Sequence, residues 1–370
     1  MVALSLFTGA GGFDLGAHSA GIEVVRGVEL DPNAQATATA AGLPCILSDV
    51  SDVSAVVAGL PPIDLVFGGP PCQPFSRAGA QRGGEDARDG FPATLAILRH
   101  LRPAWAVLEN VGGFLDPTFD NYRHKLLSDL RELFPAVVVW RLDAADYGVP
   151  QHRRRCFIVC GPRALRAPTP THAEHADLFG QVKPWRSWGE ALGMRGFCFA
   201  THPEGATEVE QRRIRELTDQ PSPTIGATYT GGLAGQPWVL RAAGVTGCGG
   251  PVHLADPAPS ITTKGTAYLQ LRPELLDRPA PTVSTAEVKG TRASAKSGWM
   301  FNGGPDRASD ALFLATGRRR LTIAECAALQ AFPDGYPFQG PSEARYRQIG
   351  NAVPPPLAAA VLSAVVNHDR

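Results

Sequence analysis

Val2-Ala3-Leu4-Ser5-Leu6-Phe7-Thr8-Gly9-Ala10-Gly11-Gly12-Phe13-Asp14-Leu15-Gly16 stands at the start of the chain and decides its reading. The apolar run Val2–Phe7 predicts a buried strand, and the glycines after it predict a tight turn that opens a helix. Backbone amides at the start of that helix then face whatever lies beyond the strand. The glycine spacing is not that of a dinucleotide fingerprint, because the third position after Gly11 is Asp14. With no basic residues at its start, the segment reads as a first strand and not as a signal peptide.

Working outward, the same alternation continues to about residue 162. Strands are predicted over Ile22–Glu29, Leu65–Phe67, Trp105–Glu109, Val137–Leu142 and Cys156–Cys160, with helical patterns between them at Thr94–Leu101 and Tyr122–Leu133. Strands alternating with helices argue for an α/β fold, a mostly parallel sheet with helices on both faces. In such a sheet ligands bind beyond the carboxyl ends of the strands. Two acids fall there. Glu29 ends the second strand, where a carboxylate can hold two ribose hydroxyls, and Asp49 ends the apolar stretch Cys45-Ile46-Leu47-Ser48. Taken singly, each acid reads as a cap or an exposed strand end. A glycine turn and two acids in this order favour a nucleoside cofactor without a pyrophosphate, and S-adenosylmethionine qualifies.

The 370 residues suffice for one large domain with an insertion, or for two domains. With 44% hydrophobic and 19% charged residues the chain is expected to fold, and no uninterrupted apolar run approaches the roughly 20 residues of a membrane span. Net charge is zero, so composition alone does not announce a nucleic-acid binder, but arginine clusters at Arg153-Arg154-Arg155 and Arg318-Arg319-Arg320. The seven cysteines contain no Cys-x-x-Cys pair, which argues against a metal site or a disulfide framework and for a reducing cytoplasm.

Chemistry is concentrated in three segments. Gly68-Gly69-Pro70-Pro71-Cys72-Gln73-Pro74-Phe75-Ser76 follows a strand and holds Cys72 where a substrate could reach it, the position of an attacking thiolate. Glu109-Asn110-Val111 ends the strand from Trp105, and Gln151-His152-Arg153-Arg154-Arg155 precedes the strand from Cys156. Arg154 has the opposite strand phase to Arg153 and Arg155 and is expected to point away. From Pro162 to about Gly317 the chain turns rich in Pro, Gly, Thr and Ser. A short pattern recurs there: Pro221-Ser222-Pro223-Thr224-Ile225, Pro257-Ala258-Pro259-Ser260-Ile261 and Pro279-Ala280-Pro281-Thr282-Val283. Regularity returns with a capping-box spacing at Thr322 and Glu325, and with a last helix from Pro354 to about Val366 that tolerates Pro355 and Pro356 in its first turn.

Together these segments resemble the DNA (cytosine-5)-methyltransferase family. Pro71-Cys72-Gln73 matches its Pro-Cys-Gln motif, Gln151-x-Arg153-x-Arg155 its Gln-x-Arg-x-Arg motif, Arg320 through Tyr336 its ninth motif and Tyr346 through Pro355 its tenth. The resemblance implies a Rossmann-like S-adenosylmethionine-dependent methyltransferase fold with a smaller, irregular, β-rich target-recognition domain. It divides the chain into a catalytic and cofactor domain at 1–185, a recognition domain at 186–341 that includes the bracing helix near 321–331, and a returning segment at 342–370. It implies Cys72 as the nucleophile adding to cytosine C6, Glu109 at N3 and the 4-amino group, Arg155 on O2, and Arg153 near the thiolate and base. The cofactor is expected against Phe7, Gly9, Gly11, Gly12, Glu29, Leu30, Asp49, Val50, Pro70, Asn351 and Val353, with Phe7 on the adenine. Leu30 stands where some members place a Trp, and Phe91 is expected to add apolar contact. Gln73, Ser76 and Thr282 are expected on the DNA, with Thr224 as the second match for the last of these.

The expected activity is methylation of C5 in a flipped-out cytosine of a specific duplex sequence, in a prokaryotic cytoplasm at the nucleoid, by a monomer. A cognate restriction endonuclease would act separately, unless the protein is a solitary relative. A tRNA substrate and a catalytically silent DNA-binding protein stand as the alternatives.

Overall fold

The computed structural model describes residues 1–71, 89–177, 180–192 and 322–368, with the short segments 197–200, 268–271 and 318–319. Seven strands form the main sheet: β1 Val2–Leu6, β2 Glu23–Glu29, β3 Cys45–Leu47, β4 Leu65–Gly68, β5 Trp105–Val111, β6 Ala136–Asp143 and β7 Arg154–Gly161. Their spatial order is β3-β2-β1-β4-β5-β7-β6. The pairs β1–β2, β1–β4, β2–β3 and β4–β5 are parallel, and β7 runs antiparallel to both β5 and β6. The order reverses direction at β1, so the crevice beyond the ends of β1 and β4 is the switch point where a ligand is expected. The expected α/β architecture is present, with β3 added at one edge and β7 the one reversed strand of this sheet.

Helices α1 Gly12–Ser19, α2 Pro32–Ala40, α3 Val53–Val57, α4 Phe91–Leu101 and α5 Asp120–Arg131 connect the strands. After β7 come the short strands β8 His172–Ala173 and β9 Lys183–Pro184, then α6 Trp188–Ala191. Strands β10 Phe197–Ala200, β11 Tyr268–Leu271 and β12 Arg318–Arg319 pair antiparallel. They are the described part of the central region. Helices α7 Ile323–Leu329, α8 Ser342–Asn351 and α9 Pro355–Val366 complete the chain.

Both faces of the sheet are apolar, which is why its inner strands read as continuous hydrophobic runs. On one face Leu4, Leu6, Val66, Leu108 and Ile158 pack with Leu95 and Leu98 of α4 and Leu126 and Leu130 of α5. On the other, Ala3, Leu65, Phe67, Val107 and Phe157 meet Phe13 and Ala17 of α1 and Leu357, Val361 and Val365 of α9. Thus the last helix of the chain covers the first strand. Gly16 makes the approach possible, since a Cβ there would lie 2.3 Å from that of Ala358. Residues Ser342–Val366 are apolar and long enough, by composition, to cross a membrane. They are nevertheless two helices broken at Ala352–Pro354, and α9 turns its apolar face into this core.

Local signals set the helix starts. Asp31 caps α2 with Pro32 in the first turn, and Asp52 caps α3. The expected capping box is complete: Glu325 N donates to Thr322 Oγ1 at 3.2 Å and Thr322 N to Glu325 Oε2 at 2.7 Å. Pro355 and Pro356 lie in the first turn of α9, where their missing N–H groups cost nothing.

Candidate active site

The turn after β1 is held from several sides. Phe7 has φ +53°, a left-handed conformation unusual for a side chain this bulky, and Gly9 and Gly11 follow with φ +59° and +84°. Glu29, at the end of β2, accepts from Gly9 N at 2.7 Å with one oxygen and from Leu30 N (2.8 Å) and Asp31 N (2.7 Å) with the other. Its carboxylate therefore fixes the turn and retains part of its roughly four-site accepting capacity. Leu30 is 64% exposed beside it, and Asp49 is exposed beyond β3 with Val50 buried behind. Asp49 accepts from Ser51 N at 2.8 Å, and its hydrogen bonds with Ser51 hold its carboxyl below the ordinary range.

The glycines of the turn have different reasons. A Cβ on Gly11 would lie 2.2 Å from Leu43 Cδ1, and one on Gly12 would lie 2.3 Å from the Val353 carbonyl oxygen. At Gly9 the nearest atom would be 3.9 Å away, and the positive φ is what calls for glycine. Gly11 and Gly12 are thus glycines of packing against the rest of the chain, above all its C-terminal segment. Tyr336 Oη donates to Ala10 O at 2.5 Å from the same side. Beneath the turn, buried Asp14 accepts from Ser5 Oγ at 3.0 Å, and its other oxygen finds no partner among the described residues. Burial raises its carboxyl to about 7 against the pull of the Ser5 hydrogen bond.

A second group lies where the end of β5 pairs with the start of β7. Arg155 Nε donates to Glu109 Oε1 at 2.8 Å, each residue being 8% exposed. Burial raises the Glu109 carboxyl, and the charges of Arg155 and Arg153 oppose that rise. Arg153 is 1% exposed; its Nη2 donates to Gly350 O at 2.8 Å, while Nε and Nη1 find no partner among the described residues. Burial and the neighbouring Arg155 pull this guanidinium well down from its ordinary value. In this buried cluster the two guanidinium groups can only donate hydrogen bonds, while the carboxyl can accept them and can take up or release a proton. Arg154 faces outward, as its strand phase predicts, with 64% of its side chain exposed.

These residues adjoin Gly69, Pro70 and Pro71, just before Cys72. A Cβ on Gly69 would lie 3.1 Å from Glu109 Oε2. Asn110 Nδ2 donates to the carbonyl of buried Pro70 at 3.1 Å, and Gly90 N donates to Pro71 O at 3.0 Å. Gly90 also lies against the Phe7 ring, where its missing Cβ would be 2.8 Å from Cζ. The expectations for Cys72, Gln73, Ser76 and Thr282, and for Thr224, fall outside the described residues. Phe91 differs from its expected role: it is a core side chain, 5.8 Å from the Phe114 ring and 6.3 Å from Tyr122. Asn351 is exposed at the end of α8, and Val353 is buried against α1. Among the described residues no group of His, Cys, Asp and Glu is arranged to hold a metal ion.

Asn110, Tyr336, Gly90 and Asp143 were not anticipated. Asp143, at the end of β6, accepts from the segment that carries Arg153 and Arg155, a contact that exists only once β6 and β7 pair. A carboxylate at the end of the strand was its one sequence signal.

The family model described as C-5 cytosine-specific DNA methylase matches residues 1–182 and 268–367. Type II methyltransferase M.NgoMIV of Neisseria gonorrhoeae is 32% identical across 97% of this chain and 95% of its own length. Type II methyltransferase M.AplI of Arthrospira platensis is 30% identical across 99% of this chain and 85% of its own. Among solved structures, the Entamoeba histolytica methyltransferase EhMeth matches with TM-score 0.57 at 12% identity, over 100% of this chain and 99% of that one, a likeness of fold.

Proposed function

The chain belongs to the C-5 cytosine-specific DNA methylase family and is a DNA (cytosine-5) methyltransferase, and from that premise we propose that it methylates one cytosine within a specific duplex sequence through a covalent Cys72–C6 adduct. The observation that carries the reading is the buried Glu109–Arg155 pair, with Arg153 beside it, at the strand ends next to Gly69 and Pro70. S-adenosylmethionine would be held by the Phe7–Gly12 turn, Glu29, Leu30, Asp49, Val50, Pro70, Asn351 and Val353. The fit rests on the exposed Leu30 and Asp49 and on the Glu29 carboxylate, already aligned by three amides. When bound, this group supplies an electrophilic methyl.

The chain's own residues then have these parts. The target cytosine leaves the duplex at a cost of a few kcal/mol in stacking and pairing. Glu109, whose carboxyl burial raises, shares a proton with N3 and accepts from the 4-amino group, while Arg155 binds O2. Ring electron density falls, and the Cys72 thiolate adds to C6, which makes C5 nucleophilic. Arg153 places positive charge beside the thiolate and lowers its pKa. Methyl transfer would leave S-adenosylhomocysteine; a base, for which water suffices, then takes the C5 proton, and the C6–S bond breaks to restore the 5,6 double bond and release the Cys72 thiolate. Gln73 and Ser76 would contact the DNA beside the flipped base, and Thr282 its backbone, within a recognition domain at 186–341. The protein acts as a monomer, paired in its host with a separate restriction endonuclease or solitary.

The test is bisulfite sequencing of DNA from a host expressing the protein, with purified protein assayed on duplex DNA and on total tRNA. Methylation of one duplex sequence, lost in Cys72→Ala, and a covalent adduct on a 5-fluorocytosine duplex are expected. Activity on tRNA alone, or an active Cys72→Ala, would reject the proposal.

A further inference from the structure

The Gln151–Arg155 segment must turn two guanidinium groups inward and the one between them outward, and a single carboxylate sits where it can enforce that. Asp143 is largely buried and ends β6, paired in register with Arg154. Its Oδ1 accepts from Arg153 N at 2.9 Å and Ala145 N at 3.3 Å. Its Oδ2 takes His152 Nδ1 at 3.0 Å and Arg154 Nε at 3.3 Å. Ala144 N donates to Arg153 O at 3.0 Å, so both backbone groups of Arg153 are fixed from the end of β6. Held this way, Arg153 reaches Gly350 O. Arg155 reaches Glu109 with Nε and, with Nη1, the carbonyl of Arg154 at 2.8 Å. The His152 ring closes the outer side, edge-on to Trp185 with centroids 4.8 Å apart.

We propose that Asp143 is a positioning residue for methyl transfer, setting the backbone of Arg153 so that the guanidinium groups on either side of Arg154 converge on Glu109. Burial alone would raise its carboxyl, but the His152 hydrogen bond and charge, with the amides of Arg153 and Ala145, hold it below the ordinary range and keep it an acceptor. The essential contact is Oδ1 to the Arg153 amide, which an Asn oxygen can also make. The outward contacts to His152 and Arg154 are secondary.

The inference rests on the function proposed above, and the experiment separates the two. Wild type, Asp143→Ala, Asp143→Asn and Arg154→Ala are compared for kcat, KM for S-adenosylmethionine, calorimetric binding of S-adenosylhomocysteine, and rate of adduct formation on a 5-fluorocytosine duplex. Asp143→Ala is expected to lose 10- to 100-fold in kcat and adduct rate, with KM and S-adenosylhomocysteine binding within twofold of wild type. Asp143→Asn should recover to within threefold, and Arg154→Ala should stay within threefold. If Asp143→Ala fails to fold, Asp143→Val, apolar and strand-favouring, takes its place with the same expectation. A folded Ala or Val variant with wild-type kcat overturns the inference, as does an Asn variant as slow as Ala. An inactive wild type instead overturns the functional reading.

Discussion

Replacing Gly12 by alanine tests the link between the glycine-rich turn and the far end of the chain. The new Cβ would sit 2.3 Å from the Val353 carbonyl oxygen, with Phe332 Cζ at 3.2 Å and Ala352 Cβ at 3.3 Å, whereas ordinary contacts begin near 3.4 Å. A backbone carbonyl must retreat by about 1 Å, and inserting a methyl into such packing costs about 1–3 kcal/mol. Alanine's helix preference returns at most about 1 kcal/mol. The melting temperature should fall by a few degrees. Because Val353 and the turn share the proposed cofactor site, S-adenosylhomocysteine affinity by calorimetry should fall about tenfold. Two comparators separate the causes. Gly16→Ala meets Ala358 Cβ at 2.3 Å and Ala359 N at 2.7 Å, so stability should drop while affinity stays within twofold. Gly21→Ala has nothing within 4 Å and only its φ of +74° to oppose it, a cost of about 1–2 kcal/mol. A Gly12→Ala protein that melts and binds like wild type would refute the reasoning, because the carbonyl could not then be where it is described.

Glu109→Gln keeps the shape of the side chain but removes the carboxyl proposed to share a proton with N3. Adduct formation on the 5-fluorocytosine duplex should slow at least 100-fold with S-adenosylhomocysteine binding intact, and a tenfold or smaller loss would count against the assigned role. Asp14, raised from 3.8 to about 7, binds its proton more tightly folded than unfolded. Its contribution is present below pH 3.8 and lost as pH rises through about 7, at about 1.4 kcal/mol per pH unit. Urea midpoints from pH 4 to 8 should show wild type losing about 4 kcal/mol relative to Asp14→Asn; parallel curves would refute the burial argument. Thr322→Ala removes one half of the capping box and should cost about 1 kcal/mol in the same measurement, whereas Ser at that position should cost little.

The inner strands were legible because burial on both faces writes them as apolar runs; all four residues of β4 are buried. Direction leaves no such mark. Nothing in Arg154–Gly161 distinguishes an antiparallel strand from a parallel one, so the reversed β7 appears only in the pairing. Edge strand β3 is three residues long and could be read no further than as an apolar stretch before Asp49. Glu109 and Arg155 were legible through their place at strand ends and the family resemblance. The reason for Gly12 was not, since its neighbours, Phe332, Ala352 and Val353, lie more than 300 positions away in sequence. Asp143 was missed for the same kind of reason, its partners being defined by a strand pairing that no local pattern encodes.

The segment from Gly350 to Val353 is where the two halves of the site meet. Its first carbonyl receives the Arg153 guanidinium of the proposed base pocket, and its last presses on Gly12 of the proposed cofactor turn. On its N-terminal side Gln330 Nε2 ties the Ile349 carbonyl to α7 at 2.7 Å, and on its C-terminal side α9 is anchored against α1. Four residues cannot satisfy all these contacts in two positions unless α7, α8 and α9 move with them, and interiors this closely packed do not deform continuously. The proposed pocket for the base and the proposed turn for the methyl donor are therefore held at a fixed separation by one short peptide, whose Asn351 and Val353 would themselves border the methyl donor. In-line transfer demands such spacing, since a misplacement of about 1 Å can cost a hundredfold in rate. The chain meets that demand by returning its C-terminus across the sheet.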